Sequence, residues 1–419
     1  MTYIEFFSSV VSENICACLA RMPDRVVLVG DNRKLLKRHA DRYAELFSEI
    51  YPGQSVEFIP KSVNKNDMQS VIDALSDLVE KYDDCVFDLT GGEDVYLVAV
   101  GIVSERYSAR GLQLQRFNLR NGRVMDCDMD GVVVQELQMP TLTVEQNIRF
   151  FGGSVIRKGV SATYDWDLSP DFIADIALMW EMCREDAAKW NMLLKIFAQA
   201  ESVDVEKKDP LQLRASLKGM SHAVFYANEE YLDKSEILKY LVDNKLITRC
   251  DWEGGTLELT FKNHQIKKVL TKAGTLLELV MYFAAMIATD GDGDAIYNDV
   301  MTGVGINWNA AEEGEAIITH NEIDVIMMHG MVPVFVSCKS GMVEMEELFK
   351  FSTVAEHFGG SYAKKVLVAP ALGELNNAES IRARALDMNI QILEDTYELP
   401  FLELKESVSG LWNTTFKRK

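Results

Sequence analysis

The chain reads as an α/β protein in which two sheet-bearing halves flank a mostly helical middle. Three observations predict this. Residues 1–138 alternate short apolar runs with helix-length segments, which implies a mostly parallel, doubly wound sheet. Residues 273–419 run helix, three strands, helix, strand, helix, strand, which implies a mixed sheet. Residues 170–272, between them, are mostly helical.

Taken in order, Tyr3–Ser8 is a strand, Ser12–Arg21 a helix, Arg25–Gly30 (RVVLVG) a strand and Lys34–Ile50 a helix. Strands Val56–Ile59 and Cys85–Leu89 (CVFDL) flank a helix at Asn66–Tyr82, and Val95–Tyr107 is the next helix. Leu112–Leu119 and Arg123–Met129 form a closing hairpin around Asn121-Gly122. Ligands of doubly wound sheets sit beyond the C-terminal strand ends. Those ends here are Ser8-Ser9 and Asp88-Leu89-Thr90-Gly91-Gly92.

Residues 139–160 are a connection with a short strand, opened by Pro140. The helix Ser235–Asn244 precedes a small hairpin, 247–251 and 257–261, turning at Gly254-Gly255. That order resembles a winged helix, either as a DNA-reading wing or as a spacer. The last part opens with the helix Thr275–Ala288 and an acidic segment, Asp290–Asp294. Strands Asp299–Trp308, Ile323–Met328 and Val332–Cys338 follow, then helix Met342–Phe358, strand Lys365–Ala369, helix Ala378–Asp387 and strand Ile390–Leu393. With 419 residues the chain is too long for one ordinary core. The expected division is 1–140, 141–272 and 273–419.

Composition narrows the function. The chain is 48% hydrophobic and 26% charged, and no apolar run reaches membrane-spanning length. Its first residues lack the basic start of a signal peptide. Its seven cysteines are scattered and never spaced as CxxC, so free thiols in a reducing cytoplasm are expected and a zinc site is not. A net charge of −21 excludes a broad polyanion-gripping surface, so any nucleic-acid contact must be local.

Two sequence features carry chemistry. Asn321-Glu322-Ile323-Asp324 and Val336-Ser337-Cys338-Lys339 border two neighbouring strands, with His329-Gly330 at the turn between them. Alternation along a strand puts Ser337 and Lys339 on one face, turns Cys338 away, and sets Glu322 with Asp324. Glu278, on the helix that opens this part, supplies another carboxylate. Carboxylates are hard ligands for Mg²⁺ or Mn²⁺, which polarise a phosphate and acidify bound water. A lysine beside them orients that water or meets developing charge. An ordinary cross-strand ion pair is the competing account of the acid and the lysine. The second feature is Gly91-Gly92, between a buried strand and a helix, where backbone N–H groups approach a phosphate. It matches neither GxGxxG nor a P-loop.

The first feature resembles the PD-(D/E)xK nuclease superfamily, through Glu278, Asp324 in N-E-I-D-V and Lys339 in V-S-C-K. Ser337 stands where that pattern has an acid; Glu322, Asp299 and Glu344 are candidates to replace it. The resemblance implies a metal held by Glu278, Asp324, Ser337 and the backbone carbonyl of Cys338. Phe87-Asp88-Leu89-Thr90-Gly91-Gly92 resembles the D/N-L-T-G-G motif of the CARF family, Rossmann-like ligand sensors of type III CRISPR defence. Many members continue with Thr-Lys; here Glu93-Asp94 follows. That resemblance implies binding of a cyclic oligoadenylate, most often cyclic tetra-adenylate, across a two-fold dimer interface. Ser8, Ser9, Asn14, Thr90, Gly91, Gly92 and Glu93 are the expected contacts.

The whole order, CARF, then a helical, winged-helix-like region, then a PD-(D/E)xK domain, looks like the single-CARF nucleases of the DUF1887 class. It implies a cytoplasmic homodimer without membrane contact. This would be an endonuclease activated by cyclic oligoadenylate, using Mn²⁺ or Mg²⁺ to cut single-stranded DNA or RNA, or to nick plasmid DNA, during phage infection. The alternative is a CARF-linked nucleic-acid-binding regulator without catalysis.

Lys262, Lys267, Lys268 and Lys272 form a basic run before Glu278, either a phosphate-contacting patch or a solvated helix face. Asp290, Asp292 and Asp294 begin like an EF-hand, but Ala295 and Met301 break the pattern, which leaves a solvated acidic loop. His320 sits beside the N-E-I-D strand with an ordinary surface role expected. Trp308 and Trp412 read as packing residues rather than base-stacking ones.

Overall fold

The computed structural model describes residues 1–118, 123–128, 131–136, 140–159, 162–204, 209–220, 228–309 and 320–413. The Asn121-Gly122 turn lies outside them.

The first half alternates strand and helix: β1 (Thr2–Phe6), α1 (Val11–Arg21), β2 (Arg25–Gly30), α2 (Arg33–Ile50), β3 (Glu57–Ser62), α3 (Met68–Lys81), β4 (Cys85–Asp88) and α4 (Asp94–Arg106). Three more strands follow, β5 (Gln113–Asn118), β6 (Arg123–Asp128) and β7 (Gly131–Glu136). They form one seven-stranded sheet in the order β3-β2-β1-β4-β5-β6-β7, parallel as far as β5 and antiparallel beyond it. Because the strand order reverses between β1 and β4, the loops after these two strands flank a crevice. The hairpin expected at the sheet's end gains a third strand, β7. Its Val132-Val133-Val134 run has no polar–apolar alternation, so nothing in the pattern marks it as a half-buried strand.

The chain then makes α5 (Val144–Phe150), β8 (Ser154–Val155), α6 (Pro170–Glu185), α7 (Ala187–Val203), β9 (Gln212–Ser216), α8 (Leu217–Met220), α9 (Glu229–Lys234), α10 (Glu236–Asp243), β10 (Ile247–Asp251), β11 (Thr256–Phe261) and α11 (His264–Thr271). The expected hairpin is present as β10–β11, and β9 pairs antiparallel with β11 to complete a three-stranded sheet. The last part comprises α12 (Thr275–Met286), β12 (Asp299–Asn307), β13 (His320–His329), β14 (Val332–Cys338), α13 (Met345–Gly359), β15 (Lys364–Val368), α14 (Ala378–Asp387), β16 (Ile390–Leu393) and α15 (Leu404–Ser409). Its mixed sheet runs β16-β15-β14-β13-β12-β8, so the short strand of the connection pairs with the edge of the last sheet.

Three apolar cores hold this together. One lies between the first sheet and α3–α4, through Ile4, Phe6, Val71, Leu75, Phe87 and Val100. Another runs unbroken from the opposite face of that sheet (Tyr3, Val26, Leu28) through α5 (Ile148, Phe150) to one face of the last sheet (Ile306, Ile326) and α13 (Val354, Phe358). The third joins the helical middle to the other face of the last sheet, through Trp180, Trp190, Leu279, Val325 and Val336. Large buried apolar areas of this kind fix the two sheets against each other. Among the described residues no single helix is long and apolar enough to cross a membrane.

Candidate functional site

In the last sheet, the β13–β14 ladder stops at the Val325–Val336 pair. Beyond it the Asp324 carboxylate replaces a backbone partner. The Cys338 N–H donates to Asp324 Oδ2 at 2.6 Å, and Ser337 Oγ donates to the same oxygen at 3.3 Å. On the other side of β13, Gly303 faces Asp324 between the Thr302–Val325 and Val304–Ile323 pairs with a φ of +57°, which only glycine adopts freely. β12 and β14 therefore both part from regular geometry at Asp324. The strands open into a cleft of about 180 Å³ lined by Glu322, Asp324, Ser337, Lys339, Glu347 and Lys350.

Glu278 enters from the first turn of α12 and is 9% exposed. Burial, and then the nearby Asp324 carboxylate, push its pKa up to about 8. Asp324 is also pushed up by burial, against the Cys338 N–H that favours its ionised form. Lys339 loses some of its preference for charge through burial, but the Glu347 and Asp324 carboxylates outweigh that and raise its pKa. Its Nζ lies 2.9 Å from Glu347 Oε1. Lys272 Nζ sits 2.9 Å from Glu322 Oε1 at the rim.

The structure thus brings Asp324, Ser337 and Lys339 into one cleft, with Glu278 close enough to Asp324 to feel its charge. Of the replacement acids, Glu322 lines the cleft. Asp299 stands at the far end of β12, where its Oδ2 accepts from the Val144 N–H at 2.7 Å. Glu344 caps α13, its backbone N–H bonded to Glu347. Sequence reasoning missed Glu347; the E-x-x-E capping box, Glu344 to Glu347, was the available signal. Of the basic run, Lys262 is tied to Asp175, Lys267 to Glu201 and Lys272 to Glu322 on the cleft's rim, which leaves Lys268 without a carboxylate partner among the described residues. Asp290 Oδ1 accepts from the Asp292 and Asp294 N–H groups, a self-contained turn. His320 is exposed at the start of β13. Trp308 stacks on His357 and Trp412 on His329.

Two buried carboxyls with raised pKa values, one of them pushed up further by the other's charge, suit a divalent cation, which would neutralise both. Among the described residues no group of three or more His, Cys, Asp and Glu side chains could hold a metal. A cation in this cleft would therefore rest on two carboxylates with water and neutral oxygens completing its shell, as Mg²⁺ commonly does.

The first sheet carries the other site. Asp88 and Glu5 are a register pair on β4 and β1 and both are fully buried. Burial pushes Asp88 up to about 7, and burial followed by the Asp88 charge pushes Glu5 well above its usual range. Asp88 Oδ1 accepts from the Thr90 backbone N–H, at 2.7 Å, and from the Thr90 hydroxyl, and Thr90 Oγ1 accepts from the Phe117 N–H at 2.9 Å. The aspartate of D-L-T-G-G therefore sets the turn. Gly92 has a φ of +96°, and a Cβ there would lie 2.5 Å from the Phe6 Cβ. Only glycine fits.

Two adjoining cavities open beside that turn. One, of about 570 Å³, includes Thr90, Gly91, Gly92, Leu97, Arg116, Met125 and Val132 in its lining. The other, of about 490 Å³, includes Thr90, Arg116, Asn118, Arg123, Val134 and Tyr362. Glu13 borders both. Of the expected contacts, Thr90, Gly91 and Gly92 line them. Ser8 and Asn14 face each other instead: the Ser8 N–H donates to Asn14 Oδ1 at 2.7 Å, and Asn14 Nδ2 to the Ser8 carbonyl at 2.8 Å. Ser8 Oγ donates to Glu13 Oε2 at 2.7 Å. Ser9 is exposed next to them, and Glu93 pairs with Lys65 at 2.7 Å. Arg116, Arg123 and Tyr362 were missed, since they come from strands and a turn far along the chain.

Tyr362 belongs to the turn after α13, and its hydroxyl donates to Glu13 Oε1 at 3.3 Å. One helix thus has Glu347 at the cleft on its first turn and Tyr362 at the cavities just past its last.

By sequence the chain matches no protein-family model and no curated protein. By shape it is similar to the crystal structure of protein VC1899 from Vibrio cholerae, with a TM-score of 0.73 at 16% identity over 98% of this chain and 97% of that one. It is also similar to Can2 from Sulfobacillus thermosulfidooxidans in complex with cyclic tetra-adenylate, with a TM-score of 0.67 at 16% identity over 99% and 97% of the two chains. At such identity the likeness establishes the fold: this chain has, almost end to end, the α/β architecture of those two proteins.

Proposed function

We propose that this chain is a metal-dependent nuclease of type III CRISPR antiviral defence, switched on by a cyclic oligoadenylate and most simply by cyclic tetra-adenylate. The observation that carries the reading is the cleft lined by Asp324, Ser337 and Lys339, with the buried Glu278 carboxyl close enough to Asp324 to feel its charge, in a fold shared with a protein solved with that ligand. A divalent ion, when bound, supplies charge neutralisation and an acidified water. Glu278 and Asp324 would hold it, and Ser337 and the Cys338 N–H fix the Asp324 carboxylate. Lys339 would orient the attacking water and meet charge on the phosphate.

In the N-terminal half, the Thr90–Gly92 turn would present backbone N–H groups to ligand phosphates, with Arg116 and Arg123 adding charge. The walls beside it are apolar and open: Val132, Val133 and Val134 on the edge strand β7 are 60%, 57% and 57% exposed, with Met125 and Leu97 nearby. A second copy covering that face would make a homodimer with the ligand on its two-fold axis. Ligand entering beside Glu13 would compete with Tyr362. Movement of α13 would then draw Glu347 away from Lys339 and free the ammonium for substrate.

A second reading, a nucleic-acid-binding regulator without catalysis, is favoured by the neutral Ser337 and the absence of a three-acid group among the described residues. One assay separates the two. Labelled single-stranded DNA and RNA and supercoiled plasmid are incubated with the protein and Mn²⁺, with and without cyclic tetra-adenylate. Ligand-dependent cutting is expected, and its loss in Lys339→Ala. No cutting under any condition at high protein concentration would leave the regulator reading standing.

A further inference from the structure

Beside the cleft, a strap without regular secondary structure, residues 162–168, joins β8 to α6. It is pinned to the sheet edge: Thr163 N–H donates to the Ile156 carbonyl at 2.8 Å, and the Gly305 N–H donates to Thr163 Oγ1 at 3.0 Å. Gly305 is the register partner of Glu322, so the strap runs one strand away from the cleft's rim. On the other side it is clamped to α11, where Gln265 Nε2 donates to the Asp167 carbonyl at 3.0 Å. Its rings are ordered from the core outward. Trp166 stacks on the buried Phe172 with centroids 5.6 Å apart and planes 8° from parallel, and Tyr164 meets Trp166 edge-on at 4.6 Å.

Lys268 of α11 places its ammonium 3.9 Å from the Tyr164 ring centroid. No carboxylate pairs with it among the described residues. It stands one helical turn before Lys272, whose ammonium lies 2.9 Å from Glu322 Oε1 on the cleft's rim, which sets it beside the cleft. A lysine held on an aromatic ring rather than on an acid keeps its charge available for an incoming phosphate. In a chain of net charge −21 this is a local exception.

We propose that Tyr164, Lys268 and Lys272 form the track that delivers a single strand of nucleic acid to the cleft, with an unpaired base stacked on Tyr164 and backbone phosphates on the two lysines. The chemistry selects single strands. A base inside a duplex offers no face to an aromatic ring, whereas an unpaired base does. Two lysines cannot replace the broad cationic surface that grips duplex backbone. Trp166 acts as the back wall that keeps Tyr164 in place. The inference rests on the nuclease reading for its biological sense but not for its test.

The test is equilibrium binding by fluorescence anisotropy, in EDTA and without activator, using labelled fifteen-nucleotide single strands of DNA and of RNA and the matching DNA duplex. The wild-type chain binds a single strand more tightly than the duplex. Tyr164→Ala weakens that binding by about 5- to 100-fold, the range of one base–aromatic stack. Tyr164→Phe retains it, which separates the ring from the fold. Lys268→Gln lowers the slope of log affinity against log salt by about 0.7, the loss of one phosphate contact on a single strand. Equal binding of duplex and single strand, or wild-type affinity in Tyr164→Ala, overturns the track whether or not the protein cuts. Tyr164-dependent binding in a protein that never cuts supports the track and sinks the nuclease reading instead.

Discussion

The two sites are built from opposite materials. The N-terminal cavities are shaped by backbone: a turn set by Asp88, a glycine that no other residue can replace, and edge strands whose apolar side chains face outward. The C-terminal cleft is shaped by charge: carboxyls forced together and lysines held on acids, where a ladder gives out. A backbone-built site is rigid before its ligand arrives and suits recognition. A charge-built site stores repulsion that a cation relieves, which suits chemistry. Substitutions should therefore separate the two.

The largest effect belongs to the charged site. Asp324→Asn removes a carboxylate proposed to hold the ion yet keeps an oxygen for the Cys338 N–H. Cutting should fall on the order of 10²- to 10³-fold, the size of losing one major electrostatic contact. Calorimetric affinity for cyclic tetra-adenylate should stay within about 2-fold of wild type. Loss of both would show that the sites are not separable.

Gly92→Ala is the mirror experiment. Its positive φ costs a non-glycine residue about 1–3 kcal/mol, and the Cβ 2.5 Å from Phe6 adds a clash. The expected outcome is a lowered Tm with loss of ligand binding, while residual activator-independent cutting persists. An unchanged affinity would mean that the turn does not form the ligand floor.

The charged cleft also makes a pH signature. Glu278 has a folded pKa raised to about 8 from the usual 4.5. Between these values the folded state holds a proton that the unfolded state has released. Stability should therefore fall as pH rises across that window, by up to about 1.4 kcal/mol per pH unit for one full proton. In EDTA, Tm should drop from pH 5 to pH 8.5, and Glu278→Gln should flatten the slope. Added Mn²⁺ should raise Tm more at pH 8.5 than at pH 6, because the ion needs both carboxyls ionised. A Mn²⁺ effect independent of pH would remove Glu278 from the metal set.

Legibility followed the same division. Strand alternation placed Ser337 with Lys339 and Glu322 with Asp324, and the helix-opening Glu278 was within reach, because period and element order are local properties of the sequence. The D-L-T-G-G turn was legible for the same reason. Arg116, Arg123 and Tyr362 were not, since each reaches its site through packing between separate elements, whereas Glu347 lies eight residues past Lys339 and was marked locally by its capping box. Asn14 carries the right chemistry for a ligand but spends its amide on the Ser8 backbone, and the Ser8 hydroxyl turns to Glu13, a choice that only three-dimensional distance decides. β7 escaped because three exposed valines carry no period at all.

The smallest expected effect tests whether the two sites speak to each other. α13 is about 22 Å long at 1.5 Å per residue, and its ends touch the cleft through Glu347–Lys339 and the cavities through Tyr362–Glu13. Tyr362→Phe removes one hydroxyl whose bond to Glu13 is worth about 0.5–1.5 kcal/mol net. If that bond holds the resting position, its loss shifts the balance toward the free-lysine state. Activator-independent cutting should then rise by about 2- to 10-fold, and ligand should bind slightly tighter, since coupling between two sites is reciprocal. Glu347→Gln weakens the hold on Lys339 from the other end and should raise the same basal activity without touching the cavities. A rise in Glu347→Gln alone would place the restraint at the cleft and leave Tyr362 as a wall of the ligand cavity. A fall in both would mean that Glu347 positions Lys339 for the reaction rather than restraining it, because a lysine that must be held by its acid loses its aim when the acid is neutralised.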